Sequence, residues 1–149
     1  MSIYRRILAV VDLTEDSNEV ATRALAIARA CGNSRLELLH VVEYVPVEPL
    51  SDSLMPAVQI ESELLERARQ RLAQLAASLN LEPPLWRVEA GNVKAEIMRV
   101  ARELQADLIV IGSRERHGLS ILVNLTEDTV LHAAPCDVLA VRLTPLKHS

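Results

Sequence analysis

Two short runs of residues are apolar at every position, Ile7–Val11 and Leu108–Ile111. A strand with apolar side chains on both faces must be covered on both faces, which is typical of a central strand in a parallel sheet with helices on each side. Each run has the length of a strand and is followed by Asp12 or by Gly112. The sequence therefore predicts an α/β fold built around two buried strands.

Apolar runs alternate with amphipathic segments along the whole chain. The predicted strands are Ile7–Val11, Leu36–Val42, Leu85–Glu89, Asp107–Ile111 and Val138–Leu143. The predicted helices lie between Asp16 and Gly32, from Glu61 to Pro83, from Asn92 to Leu104 and from Leu119 to Pro135. Prolines and polar residues between Glu43 and Met55 predict an irregular loop. The alternation is typical of a doubly wound α/β domain.

The length of the chain fits a single domain. A domain of 149 residues buries roughly 70% of the surface that its unfolded chain exposes, so we expect one domain over residues 1–149. The chain contains no Phe, and the core must therefore be built from Leu, Val, Ile and Ala. This composition suits helices packed on a parallel sheet.

Charge and hydropathy exclude several classes of partner. The net charge of −4 gives no basic surface for nucleic acid. No apolar stretch approaches the ~20 residues that span a bilayer, and the N-terminus lacks the apolar region of a signal peptide. We therefore expect a cytoplasmic protein that binds neither nucleic acid nor membrane. Cys31 and Cys136 have no metal-ligand or redox spacing, so two reduced thiols and no metal site are expected.

Three positions at predicted strand ends are candidates for a site. Asp12 lies at the carboxyl end of the first strand, where open α/β sheets bind ligands, but it is equally a turn residue that bonds the following backbone. His40 lies near the end of the second strand and is predicted to be a hydrogen-bonded core residue. Gly112 and Ser113 are predicted to form a glycine turn before a helix, which would present backbone N–H groups to an anion.

The residues that carry a family resemblance lie along essentially the whole chain. They are Ile7–Asp12, His40–Val42, Gly91-Asn92 before Ala95–Ile97, Ile111–Ser113 through Gly118-Leu119, and Ala134–Arg142. In this order they resemble a universal stress protein. The resemblance implies an open, mostly parallel five-stranded sheet with helices on both faces. That fold is of the Rossmann type, similar to the adenine nucleotide alpha hydrolases. The resemblance also implies a homodimer with a cytoplasmic role in stress survival.

Members of this family differ in whether they bind ATP. The binders resemble Gly-x2-Gly-x9-Gly-[Ser/Thr] across the loop after the fourth strand. Counted from Gly112, the second glycine position is Glu115, and the last pair falls on Leu125-Thr126, or on Asn124-Leu125 if the loop is one residue shorter. Only Gly112 remains in either count. A side chain blocks the close approach of phosphate to backbone that glycine allows, and a carboxylate near phosphate costs on the order of 1 kcal/mol or more.

Other features of the same region favour a nucleotide. Ser113, Arg114, Arg116 and Thr126 are able to donate hydrogen bonds to phosphate. The resemblance implies that Asp12 and Val41 stand where ATP-binding members hold the adenosine. An alternative interpretation of residues 114–117 is a solvated loop. We expect no tightly bound ATP, no cofactor and a site that is a remnant of an ATP site, with Asp12, Val41, Gly112, Ser113 and Thr126 as its residues and Glu115 against it.

The last predicted strand indicates how the chain assembles. Val138 to Leu143 contains no proline, and an edge strand leaves backbone groups that need a partner or protection. Pairing with the same strand of a second copy about a two-fold axis would satisfy both edges, as the resemblance also implies. We therefore expect a homodimer through Val138–Leu143.

Three classes of function are compatible with the sequence. The favoured class is a stress-response dimer that acts through an unidentified protein partner without catalysis. The second is a nucleotide-binding switch or slow ATP hydrolase that uses Asp12, Gly112, Ser113 and Thr126. The third, a different doubly wound enzyme or flavin carrier, is disfavoured because the chain lacks aromatic residues to stack a flavin and a Gly-x-Ser-x-Gly elbow.

Overall fold

The computed structural model of the protein describes residues 3–14, 17–43, 54–81, 85–114, 130 and 132–143, without the side chains of residues 17, 54–60 and 114. The elements in chain order are β1 (Arg6–Val10), α1 (Ser17–Ala30), β2 (Arg35–Glu43), α2 (Leu54–Ser78), β3 (Trp86–Gly91), α3 (Val93–Leu104), β4 (Leu108–Arg114) and β5 (Asp137–Leu143).

The strands form one five-stranded sheet in the order β3-β2-β1-β4-β5. All of the described strand pairs are parallel. At the centre, Ile7 of β1 pairs with Leu36 on one side and with Leu108 on the other. The predicted five-stranded α/β sheet is therefore confirmed, and β5 lies at an edge of the sheet as expected.

Alternate residues of the central strands point to two separate cores. Ala9 and Val110 face α1 and α2, whereas Leu8 and Ile109 face α3. These four side chains are fully buried. Burial on both faces is what continuous apolar runs predict for central parallel strands.

Helix α3 shows why the chain starts and stops a helix where it does. The side chain of Asn92 accepts a hydrogen bond from the backbone N–H of Ala95 at 2.9 Å and so caps the start of the helix. At the other end Gln105 adopts a left-handed conformation with φ of 53°, and its N–H reaches the carbonyl oxygens of Ala101 and Arg102. Between these caps, Ile97 and Val100 are buried against the sheet.

Two predicted helices differ from, or fall outside, the described structure. Helix α2 begins at Leu54, not at Glu61, so the predicted loop over Glu43–Met55 is wrong at its carboxyl end. Pro56 is tolerated there because the first turn of a helix needs no N–H at that position. Most of the predicted fourth helix, Leu119 to Pro135, lies outside the described residues, although residues 130, 132 and 133 are helical.

Candidate functional site

The carboxyl ends of β1 and β4 form the candidate site because the chain leaves these neighbouring strands towards opposite sides of the sheet. From β1 the chain continues through α1 to β2, whereas from β4 it continues to β5. Such a divergence opens a crevice at the carboxyl edge of a parallel sheet, where ligands bind. Val10 pairs with Ile111, so Asp12 and Ser113 each lie two residues beyond a paired position.

Asp12 acts as a turn residue in this crevice. Its Oδ1 accepts hydrogen bonds from the backbone N–H of Thr14 at 3.1 Å and from the Thr14 hydroxyl at 2.7 Å. The intervening Leu13 has a positive φ of 60°, which a non-glycine residue adopts only in a tight turn. The geometry therefore shows Asp12 as a turn residue that bonds the following backbone. The carboxylate is exposed, and its contact with a nucleotide stays a prediction.

His40 is held by the backbone of the neighbouring strand. Its Nδ1 lies 2.7 Å from the carbonyl oxygen of Val11, and since a carbonyl only accepts, Nδ1 carries the hydrogen and donates it. The ring is half-buried. The prediction of a hydrogen-bonded strand histidine is confirmed, and Nε2 is the ring nitrogen left for any further partner.

Gly112 is required by packing and does not form a turn. A Cβ built on Gly112 would lie 2.8 Å from Leu143 Cδ1 and 3.1 Å from Val20 Cγ2. Its backbone is not among the positive-φ glycines of the described residues, which are Gly32 and Gly91. The predicted break at Gly112-Ser113 is wrong, because β4 runs on to Arg114 and pairs with β5 as far as Leu143. The glycine is thus explained by close contact of β4 with β5 and α1.

The remaining predicted site residues divide into two groups. Val41 is 8% exposed and its side chain packs in the core on the α3 face, while Ser113 lies within β4 and is half-buried. Glu115 and Thr126 lie outside the described residues. The assignment of these residues to a nucleotide site therefore stays a prediction.

A cavity at the same edge includes residues that the sequence did not single out. It has a volume of about 220 Å³ and is lined by Asp12, Leu13, His40, Val42, Leu64, Arg67, Ala68 and Arg71. The last four belong to α2, and none of them was predicted to belong to a site. Their spacing of three and four positions places them on one side of the helix. This spacing is the signal in the sequence that could have identified them as a group.

A second cavity, of about 240 Å³, lies at the opposite edge and is lined by Arg6, Ile7, Arg35, Glu37, Glu103, Leu104 and Ala106. Arg6 and Ile7 begin β1, and Arg35 begins β2. Ligands of open parallel sheets bind at the carboxyl ends of the strands, so the first cavity is the better candidate.

The described residues contain neither a cluster that could hold a metal ion nor a helix that could cross a membrane. Within the described ranges, no group of three or more His, Cys, Asp or Glu side chains is arranged to hold a metal ion. No helix in the described part of the chain is long and apolar enough to cross a membrane.

Comparisons with known proteins agree on one family. The model of the universal stress protein family matches residues 3–142. Universal stress protein A homolog 2 of Coxiella burnetii is 34% identical over 143 residues, which cover 96% of this chain and 98% of that protein.

Solved structures show the same similarity. The universal stress protein UspA from Lactobacillus plantarum has a TM-score of 0.66 at 26% identity, with 93% of this chain and 98% of that chain covered. A universal stress protein solved in complex with cAMP has a TM-score of 0.59 at 21% identity, with 95% of this chain and 98% of that chain covered. At this low identity the similarity shows the fold alone.

Proposed function

Because the chain belongs to the universal stress protein family, we propose that it is a homodimeric stress-response protein that acts through contacts with other proteins. In this proposal it catalyses no reaction, holds no ATP tightly and works in the cytoplasm. Membership of the family does not by itself determine whether the protein binds a nucleotide.

The packing of Gly112 is the observation that carries the proposal. Gly112 is the one glycine left from the pattern of the ATP-binding members, and the space beside its Cα is filled by Leu143 and Val20. The glycine is accounted for without a phosphate nearby. It therefore gives no support to a phosphate site, and Glu115 at the second glycine position argues against one.

The acid–base groups of the crevice support a role without catalysis. The Asp12 carboxylate accepts from Thr14, and His40 donates to the Val11 carbonyl. Both groups thus stabilise local backbone. His40 has no hydrogen bond to a Ser or Cys nucleophile among those found for the described residues, and nucleophilic catalysis requires such contact.

The edge strand β5 supports the dimer. Leu139 is 37% exposed and is one of the exposed large apolar side chains of the described residues. It pairs with Val110 on the β4 side, and the other side of the strand is the sheet edge. A second β5 across a two-fold axis would satisfy the edge backbone groups and cover Leu139.

The second candidate is a nucleotide-binding switch or slow ATP hydrolase that uses Asp12, Gly112, Ser113 and Thr126. The solved relative in complex with cAMP favours it. Isothermal titration with ATP, with and without Mg²⁺, separates the candidates, together with adenine absorbance released on denaturing the purified protein.

We expect no released adenine and no micromolar affinity. Affinity in the micromolar range or tighter that is lost in Asp12→Ala would overturn the proposal in favour of the switch. The same affinity retained in Asp12→Ala would also overturn it and would place the nucleotide elsewhere. The midpoint of thermal unfolding of each variant serves as the control for folding.

A further inference from the structure

The cavity of about 220 Å³ at the carboxyl edge lies between the ends of β1 and β2 and the side of α2. Clefts that hold drug-sized ligands measure roughly 300–1,000 Å³. The cavity is smaller than these, so its size favours a ligand smaller than a nucleotide.

Two arginines of α2 supply the charge of this cavity. Arg67 and Arg71 both line it, one helical turn apart. Both side chains are exposed, and neither has a hydrogen bond or ion pair with the described residues. Arg69, two residues from each, instead pairs with Glu66 at 3.8 Å. The two cavity arginines thus have their donors available, unlike their neighbour on the same helix.

The rest of the described lining adds one acceptor nitrogen, one acid and an apolar rim. His40 has Nδ1 committed to Val11, so its Nε2 can meet a ligand. Among the described lining residues the one carboxylate is Asp12, and its Oδ1 accepts hydrogen bonds from Thr14. Leu64 is 47% exposed at the rim. Two guanidinium groups against one carboxylate give the described part of the lining a net positive charge.

We propose that this cavity binds the phosphate group of a small phosphate monoester, with Arg67 and Arg71 as the principal donors. Arginine forks match phosphate oxygens and form charge-assisted hydrogen bonds. A phosphate offers more oxygens to the two guanidinium groups than a carboxylate, which offers two. Leu64 contacts the organic part of the ligand. The site is separate from the loop after β4 and does not depend on the proposed function.

The test is titration of the full chain with glycerol 3-phosphate and, separately, with inorganic phosphate, followed by the NMR signals of the His40 ring and by calorimetry. We expect saturable binding of both, tighter for glycerol 3-phosphate. Arg67→Gln and Arg71→Gln should each weaken binding about tenfold or more, since each removes a charge-assisted hydrogen bond to the phosphate. Arg69→Gln is the matched control because it removes the same charge from the same helix. The affinity of this variant for each probe should stay within a factor of about two of the parent's.

Three outcomes would overturn the site: no saturable binding of either probe, an equal loss in Arg69→Gln, or binding of inorganic phosphate that glycerol 3-phosphate does not share. All three variants change exposed side chains, so unchanged thermal midpoints are expected. Tight ATP binding that Arg67→Gln leaves intact would count against the proposed function alone.

Discussion

Leu143 fills the space into which a side chain at Gly112 would project. Its Cδ1 lies 2.8 Å from the position that a Cβ on Gly112 would take, and Val20 Cγ2 lies at 3.1 Å. Leu143 is 6% exposed and belongs to the core beside α1. Real Cβ atoms do not approach other atoms to 2.8 Å, so any side chain at Gly112 must displace its neighbours.

Gly112→Ala is therefore expected to destabilise the protein. Overpacking of a core costs about 1–3 kcal/mol, and Val20 has little freedom to move because its side chain is β-branched. In a Leu143→Ala background the same substitution should cost less, since the added methyl group enters vacated space. Urea unfolding of the single and double variants measures the difference. An equal cost in both backgrounds would show that Leu143 is not the constraint.

The buried strands could be predicted from the sequence because their signal is local. A run such as Ile7–Val11 shows by itself that both faces are covered, and Asn92 shows a helix start three residues before the N–H that it caps. These features needed no knowledge of distant parts of the chain.

The predictions were wrong where contacts between residues far apart in the sequence determine the local structure. Gly112 was interpreted as a turn because a glycine after an apolar run usually ends a strand, but β5 extends the pairing to Arg114. Glu37 lies in a predicted strand, and its partner Arg87 follows 50 residues later. Arg67 and Arg71 became cavity residues only because α2 packs on β2 and β3 and so lies beside Asp12 and His40 at the cavity. Spacing along α2 showed that they share a side, but not what that side contacts.

The ion pair between Glu37 and Arg87 leads to a second prediction about stability. Glu37 is 3% exposed, and Arg87 Nε lies 3.2 Å from its Oε1. Burial alone would lower the pKa of Arg87, but Glu103 and Glu37 together raise it above its usual value. Arg87→Met leaves a buried carboxylate without its cation and should cost about 2–4 kcal/mol.

Two further variants test whether the unpaired carboxylate is the cause of that loss. Glu37→Leu combined with Arg87→Met removes the buried charge and should recover most of the stability. Arg99→Met is the matched control: Arg99 pairs with Glu89 and Glu103 at an exposed site and should cost less than about 1 kcal/mol. Chemical denaturation gives all three values. A double variant no more stable than Arg87→Met would contradict the argument.

Asp107 should make stability depend on pH in the acid range. Its carboxylate accepts hydrogen bonds from the backbone N–H groups of Arg5 and Arg6, both at 2.9 Å, and these bonds hold the pKa of Asp107 below its usual value. A lowered pKa in the folded state stabilises the protein above the unfolded pKa of about 4. That stabilisation is lost as pH falls through the folded pKa.

Asp107→Asn should therefore be less stable than the parent by about 1 kcal/mol at neutral pH, and the difference should shrink below about pH 4. Urea midpoints measured from pH 7 to pH 2.5 check this. The control is Glu63→Gln, which removes an exposed carboxylate on α2 that has no hydrogen bond or ion pair with the described residues. A gap between Asp107→Asn and the parent that persists at the lowest pH would refute the role of ionisation.

The dimer predicted through β5 can be tested by removing single backbone donors. In a strand of a parallel sheet, the N–H groups of successive residues point to opposite sides. Either Leu139 or Ala140 therefore directs its N–H outward, and the other directs it towards β4. Leu139→Pro and Ala140→Pro should thus differ: one weakens the β4–β5 pairing, and the other keeps the fold but loses a donor at the edge.

The variant that keeps its circular dichroism and unfolding midpoint is expected to be a monomer in light scattering, whereas the parent is a dimer. Leu139→Ala, which keeps the backbone donor and removes most of the exposed side chain, is the control and should weaken the dimer without abolishing it, since edge pairing depends on backbone groups. A folded proline variant that remains a dimer at the same concentration would place the interface on another surface, because the proline removes an edge donor and puts its ring where a partner strand would pair.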